Sequence, residues 1–138
     1  MENYDKISYV IDKRSMDMDQ LRHRPKYEQL LKSYQGTKDI KVLTGVRRCG
    51  KSSLLQLLVE DIRSQGVPDA NIFLRRFDQF GMPLRPTAQW LSDELQTALQ
   101  AADSRQMFYV FLDEIQDVED WQKVVRHLHT QPDVDVYL

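Results

Sequence analysis

Cysteine is almost absent: only Cys49 occurs, so no internal disulfide can form, and the chain suits a reducing compartment, the cytoplasm. Long apolar runs are missing too. The stretch Met107 to Leu112 falls far short of the roughly 20 residues that cross a bilayer, so no membrane span is expected. The opening residues MENYDKISYV lack a basic start followed by an apolar segment, and no secretory signal is expected from them. Neither sign of charge dominates. Nineteen Lys and Arg against 21 Asp and Glu leave a net charge of −2, which argues against a dominant electrostatic grip on nucleic acid. The local cluster Arg22, His23, Arg24 and Lys26 sits near Asp17, Asp19 and Glu28 and is read as a solvated mixed-charge face. His23, His127 and His129 have no ligand spacing with the single cysteine, so no zinc site is expected. Repeats and low-complexity tracts are lacking.

What is present fits one soluble domain. The 138 residues are 41% hydrophobic and 29% charged, long enough to bury a self-sufficient core. Tyr9-Val10-Ile11 is either a short strand or a flexible lead-in. Tyr27, Leu30, Leu31 and Tyr34 share one helical face between Pro25 and Gly36. Ile40 to Thr44 is a β-branched run, the first core strand. Leu54, Leu55, Leu58 and Ile62 predict a helix over 51–64, stopped by Gly66. A strand is expected at Asn71 to Phe77, though Arg75 and Arg76 make it an awkward one. Gly81, Pro83 and Pro86 mark a loop, and Thr87 to Ala102 is a helix with Leu91, Leu95, Ala98 and Ala102 on one face. Met107 to Leu112 is a strand of the kind buried on both faces. Trp121, Val124, Val125 and Leu128 predict a helix, and Val134 to Leu138 a further strand. Alternating strands and helices of this kind define an α/β fold with a parallel sheet covered on both faces. Ligands of such sheets sit beyond the carboxyl ends of the strands.

Two of those ends have chemistry. After the first strand comes Gly45-Val46-Arg47-Arg48-Cys49-Gly50-Lys51-Ser52, which satisfies G-x-x-x-x-G-K-[ST] at every fixed position. A chain of this composition meets the pattern by chance about once in a thousand cases. Glycines let the backbone curl so that successive N–H groups form an anion nest. The helix that follows adds the positive end of its dipole. Lys51 supplies a mobile charge for the β- and γ-phosphates, and the Ser52 hydroxyl is a ligand for Mg2+. Arg47 and Arg48 either touch phosphate or a neighbouring subunit, or point to solvent. The thiolate of Cys49 is favoured by the local positive potential, but no base is placed for catalysis there.

The second strand end is Asp113-Glu114, about 60 residues later. In a phosphate-loop ATPase the aspartate holds Mg2+ and the glutamate polarises the water that attacks the γ-phosphate. A base beside a metal-binding aspartate serves water, which favours hydrolysis over transfer to a small acceptor. Gln116 and Asp117 either reach the site or cap the helix starting near Glu119. Asp78 either joins the site or caps a turn. Trp90 and Trp121 are expected as core anchors.

The segments RPKYEQLL, IKVLTGVRRCGKSSLL, NIFLRRFD, FYVFLDEIQDVEDWQKVVRHL and DVDVYL resemble the prokaryotic AAA-type ATPases that carry a C-terminal domain of unknown function, over residues 24–138. The resemblance implies a three-layer P-loop core with strand order 5-1-4-3-2. It extends the nucleotide-binding (Walker A) assignment over Gly45 to Ser53. It also implies the Walker B roles of metal binding for Asp113 and water activation for Glu114, with ATP and Mg2+ as cofactors. Family members continue past VDVYL, so a truncated core is expected: a lead-in over 1–24 and a partial ATPase domain over 25–138. Its sheet would end at an incomplete fourth strand with a central edge open to pairing. Expected partners are ATP and the missing C-terminal domain, with a homo-oligomer as an open alternative. The function expected is ATP hydrolysis that drives conformational change in a larger protein, poorly active in isolation. The alternative is a nucleotide-dependent switch or scaffold with little turnover. ATP rather than GTP rests on the resemblance, and no Asn-Lys-x-Asp run for guanine occurs.

Overall fold

Strands rich in Val, Ile and Phe, each followed by an amphipathic helix, bury themselves only when helices cover both faces of the sheet. The computed structural model has that form. It describes residues 8–11, 33, 35–36, 39–43 and 51–138, with 8–11, 43 and 51–53 described by backbone alone. The strands are β1 (Ser8–Ile11), β2 (Lys41–Leu43), β3 (Ile72–Arg76), β4 (Phe108–Asp113) and β5 (Val134–Tyr137). The helices are α1 (Lys51–Ser64), α2 (Ala88–Ala101) and α3 (Trp121–His129). The five strands lie in the order β1-β2-β5-β4-β3, and all four pairings are parallel.

Side-chain alternation along the strands builds two cores. On one face, Leu54, Leu55, Leu58, Val59 and Ile62 of α1 pack on Tyr109, Phe111 and Tyr137. On the other, Leu91 and Leu95 of α2 and Val124, Val125 and Leu128 of α3 pack on Phe73, Phe108, Val110, Leu112 and Val136. Every residue of β4 is buried, as its unbroken apolar run demands. Phe111 stacks on Tyr137 with ring centroids 4.7 Å apart, locking β4 to β5. Thr87 caps α2, its side chain accepting a hydrogen bond from the amide of Trp90 at 3.1 Å.

The strands expected at 40–44, 71–77, 107–112 and 134–138 all form, in the spatial order 1-4-3-2 that the resemblance implies. One expectation is corrected. The last strand, β5, does not leave a central edge open, because β4 flanks it on one side and β2 on the other, with Lys41 opposite Tyr137. On the outer side of β2 the slot is filled by β1, the lead-in segment that the sequence left as strand or flexible arm. The helix expected between Pro25 and Gly36 lies outside the described residues apart from Ser33, Gln35 and Gly36. Gly36 has φ 76°, the left-handed conformation that stops a helix. Thr44 and the basic cluster at 22–26 are likewise outside the described residues.

A buried polar lattice ties the amino ends of the central strands together. Lys41 pairs with Asp135, both side chains fully buried. Asp135 Oδ2 also accepts from the Gly36 amide and the Tyr137 hydroxyl, each at 2.9 Å. The fully buried Asn71 donates from Nδ2 to the carbonyls of Asp103 (2.9 Å) and Met107 (3.1 Å), and its Oδ1 accepts from the Asp103 amide at 2.9 Å.

Candidate functional site

In an all-parallel sheet the carboxyl ends of all strands share one rim. Here β2 and β4 are separated only by β5, and at roughly 4.8 Å between neighbours their ends stand about 10 Å apart. The predicted phosphate loop leaves the end of β2. Gly45, Val46, Arg47, Arg48, Cys49 and Gly50 lie outside the described residues. Lys51, Ser52 and Ser53 form the first turn of α1, so the helix starts where the sequence pattern requires, with its unpaired amides at this rim.

Across the gap, Asp113 is the last residue of β4 and is 1% exposed. Strand alternation puts it on the face of Tyr109 and Phe111, the face that α1 covers. Its main chain is anchored, the Asp113 carbonyl accepting from the Phe77 amide at 3.0 Å. Opposite it in register stands Arg76, the last residue of β3, whose Nε lies 3.6 Å from Asp113 Oδ2.

Glu114 follows with φ 60° and ψ 42°. Asp120 and Asp133 also have positive φ, but aspartate visits this region readily, whereas a glutamate there is uncommon. Such backbone conformations cost on the order of 1–3 kcal/mol and gather at functional positions. The turn swings the Glu114 carboxylate out of the strand line, and Oε2 accepts a hydrogen bond from Nε2 of Gln116.

Gln116 and Asp117 do not cap α3. They belong to a 3-10 turn over Ile115–Asp117, and the N-cap position is taken by Asp120, whose side chain makes no capping bond. The aspartate at 78 is exposed in the turn after β3. Trp90 packs edge-on to Phe77 with centroids 6.3 Å apart, the anchoring role expected of it, and Trp121 packs against the same core. A cleft of about 430 Å³ opens between α2 and α3, lined by Leu95, Leu99, Val124, His127 and Leu128, with Thr130 and Gln131 at its end. It lies toward the amino ends of the strands, away from Asp113.

Arg76 is the site residue that sequence reasoning passed over. A signal existed: β3 and β4 both end on charged residues, and parallel strands in register set those ends side by side.

The donor chemistry suits Mg2+. A buried carboxylate on one strand end and a hydroxyl-bearing residue in the facing helix turn are hard oxygen donors, and Mg2+ characteristically takes one or two protein oxygens with phosphates and water completing its shell. Among the described residues no group of three or more His, Cys, Asp or Glu side chains is arranged to hold a metal.

Comparison with known proteins agrees with this architecture. The AAA domain family matches residues 37–138. The chain therefore belongs to the AAA domain family, a class of P-loop nucleotide-binding domains with an α/β fold. It is 35% identical over 119 residues to an uncharacterized protein of Haemophilus influenzae, an alignment covering 83% of this chain and 28% of that relative. The chain thus spans little more than a quarter of the relative's length. No solved structure gives a significant match. Among the described residues no helix is long and apolar enough to cross a membrane.

Proposed function

We propose that the chain binds ATP with Mg2+ at the rim between α1 and β4 and hydrolyses it, coupling turnover to movement within a larger protein. The observation that carries this reading is the buried Asp113 at the carboxyl end of β4, on the sheet face covered by the helix that begins at Lys51. In this reading the amides of Gly45 to Ser53 wrap the phosphates, and Lys51 neutralises the β- and γ-phosphate charge. Ser52 and Asp113 hold Mg2+, which when bound supplies charge neutralisation at the transferring phosphoryl group. Glu114, turned out of the strand by its backbone, accepts a proton from the attacking water at a carboxylate oxygen. The hydrogen bond from Gln116 orients that carboxylate.

The alignment to only 28% of the Haemophilus influenzae protein supports reading residues 25–138 as the ATPase part of a longer polypeptide with a C-terminal domain, and residues 1–24 as its lead-in. A nucleotide-dependent switch with little turnover is the second reading, favoured by the Gln116 contact if it withholds Glu114 from water.

The test is a titration of ATP with and without Mg2+, comparing the natural chain with Lys51→Ala. The natural chain binds more tightly with Mg2+, and Lys51→Ala loses about 10-fold or more in affinity, the equivalent of one charge-assisted contact. Equal binding by the two chains overturns the proposal.

A further inference from the structure

Building on the proposed Mg2+–ATP site, we propose that Arg76 is a positioning residue that holds the Asp113 carboxylate until Mg2+ arrives and is displaced by the metal, so that Mg2+ entry and the position of Arg76 are coupled. Four observations point this way. Arg76 and Asp113 end neighbouring parallel strands and face each other in register. Arg76 Nε stands 3.6 Å from Asp113 Oδ2, an ion-pair distance but beyond a good N–H···O bond. That Nε is itself buried and makes no hydrogen bond, which is rare for a charged donor. The exposures differ sharply: the Asp113 side chain is 2% exposed and the Arg76 side chain 40%.

Asp113 belongs to β4 and its side chain is 2% exposed against 40% for Arg76, so of the two partners Arg76 is the one with a path to solvent. The neighbouring Arg75 is already committed. Its guanidinium lies 4.1 Å from the Phe73 ring centroid, and Nη1 donates to the Leu74 carbonyl at 3.0 Å. Arg76 has no comparable second anchor among the described contacts beyond Asp113. A divalent cation bound to Asp113 repels the adjacent guanidinium and competes with it for the same carboxylate. The displaced head stays on the rim, where its planar fork suits phosphate oxygens.

The experiment uses the full chain and the variants Arg76→Gln, Arg76→Met, Arg76→Lys and Lys51→Ala. At fixed ATP, the Mg2+ concentration that half-saturates nucleotide binding is measured for each. Loss of the competing charge in Arg76→Gln lowers that concentration about 5-fold or more, the size of a typical coupling between two sites. Arg76→Met, which keeps the apolar stem, does the same, and Arg76→Lys, which keeps the charge, stays near the natural chain. A second readout is thermal unfolding. Without metal and nucleotide the Gln and Met variants melt lower than the natural chain, and Mg2+–ATP raises their midpoints by more. An unchanged half-saturation in both neutral variants, with ATP binding intact, overturns this inference and leaves the proposed site standing. Natural-strength binding by Lys51→Ala overturns the site itself.

Discussion

Lys41 and Asp135 pair with each other at the middle of the sheet, 94 positions apart in the chain and wholly shielded from water. Desolvation lowers the Lys41 pKa from its ordinary 10.5, while the Asp135 charge and hydrogen bond oppose the shift. Asp135 also satisfies the Gly36 amide and the Tyr137 hydroxyl, so one carboxylate fastens β2, β5 and the turn before β2. β2 is the strand that leads into the predicted phosphate loop.

Removing one member strands the other in an apolar interior. Asp135→Asn or Lys41→Met is expected to destabilise the fold by about 3–5 kcal/mol, whereas the double change Lys41→Met with Asp135→Asn, which removes both charges and keeps a side-chain oxygen for the Gly36 amide and the Tyr137 hydroxyl, recovers much of the loss. Denaturant unfolding of the three variants checks this, and additive losses in the double variant would contradict it.

Tyr137 gives the fold an alkaline limit. Burial, and then the neighbouring Asp135 charge, push its hydroxyl well above the ordinary 10.0. A raised pKa in the fold means that the unfolded chain releases this proton first. Its contribution is therefore complete below pH 10 and declines as pH rises above it. Tyr137→Phe should flatten the fall in stability above pH 10, read from unfolding midpoints across an alkaline series. Identical slopes in the two chains would refute it.

Glu114→Gln separates the two functional readings. If Glu114 activates water, turnover drops about 100-fold or more while ATP affinity is kept, and bound ATP persists. A switch with incidental turnover shows no change in nucleotide lifetime. Single-turnover assays with labelled ATP distinguish these outcomes.

Much of this architecture is legible in the residues. Leu54, Leu55, Leu58 and Ile62, with Gly66 behind them, give the helix over 51–64 that the structure contains. The run Met107 to Leu112 announces a strand buried on both faces, and the structure sets it over Phe108–Asp113, one residue further on, so that the carboxylate belongs to the strand itself. Other features depend on contacts distant in sequence. Arg75 and Arg76 make NIFLRRF awkward until Phe73 and Asp113 are seen beside them. Ser8–Ile11 has weak patterning because an edge strand needs only one well-matched neighbour. The Lys41–Asp135 pair had a faint sign: each is a lone charge within an otherwise apolar inner strand, and such charges require partners. The left-handed turn at Glu114 has no local signature, since neither glycine nor asparagine stands there.

The amide of Asn71 has a final consequence. By clasping the backbone at Asp103 and Met107 it welds the entrance of β3 to the entrance of β4, while Asp135 does the same for β2 and β5. Stiffness is thus concentrated at one pole of the molecule. At the opposite pole, the connection after β3 has Phe80 and Leu84 bare to solvent and meets the next connection through the Glu119 amide, which donates to the Pro86 carbonyl, and the adjoining Thr87–Glu119 bridge. The clamped pole lies away from Asp113 and Glu114, so the rim that carries them is the less tightly fastened end of the sheet.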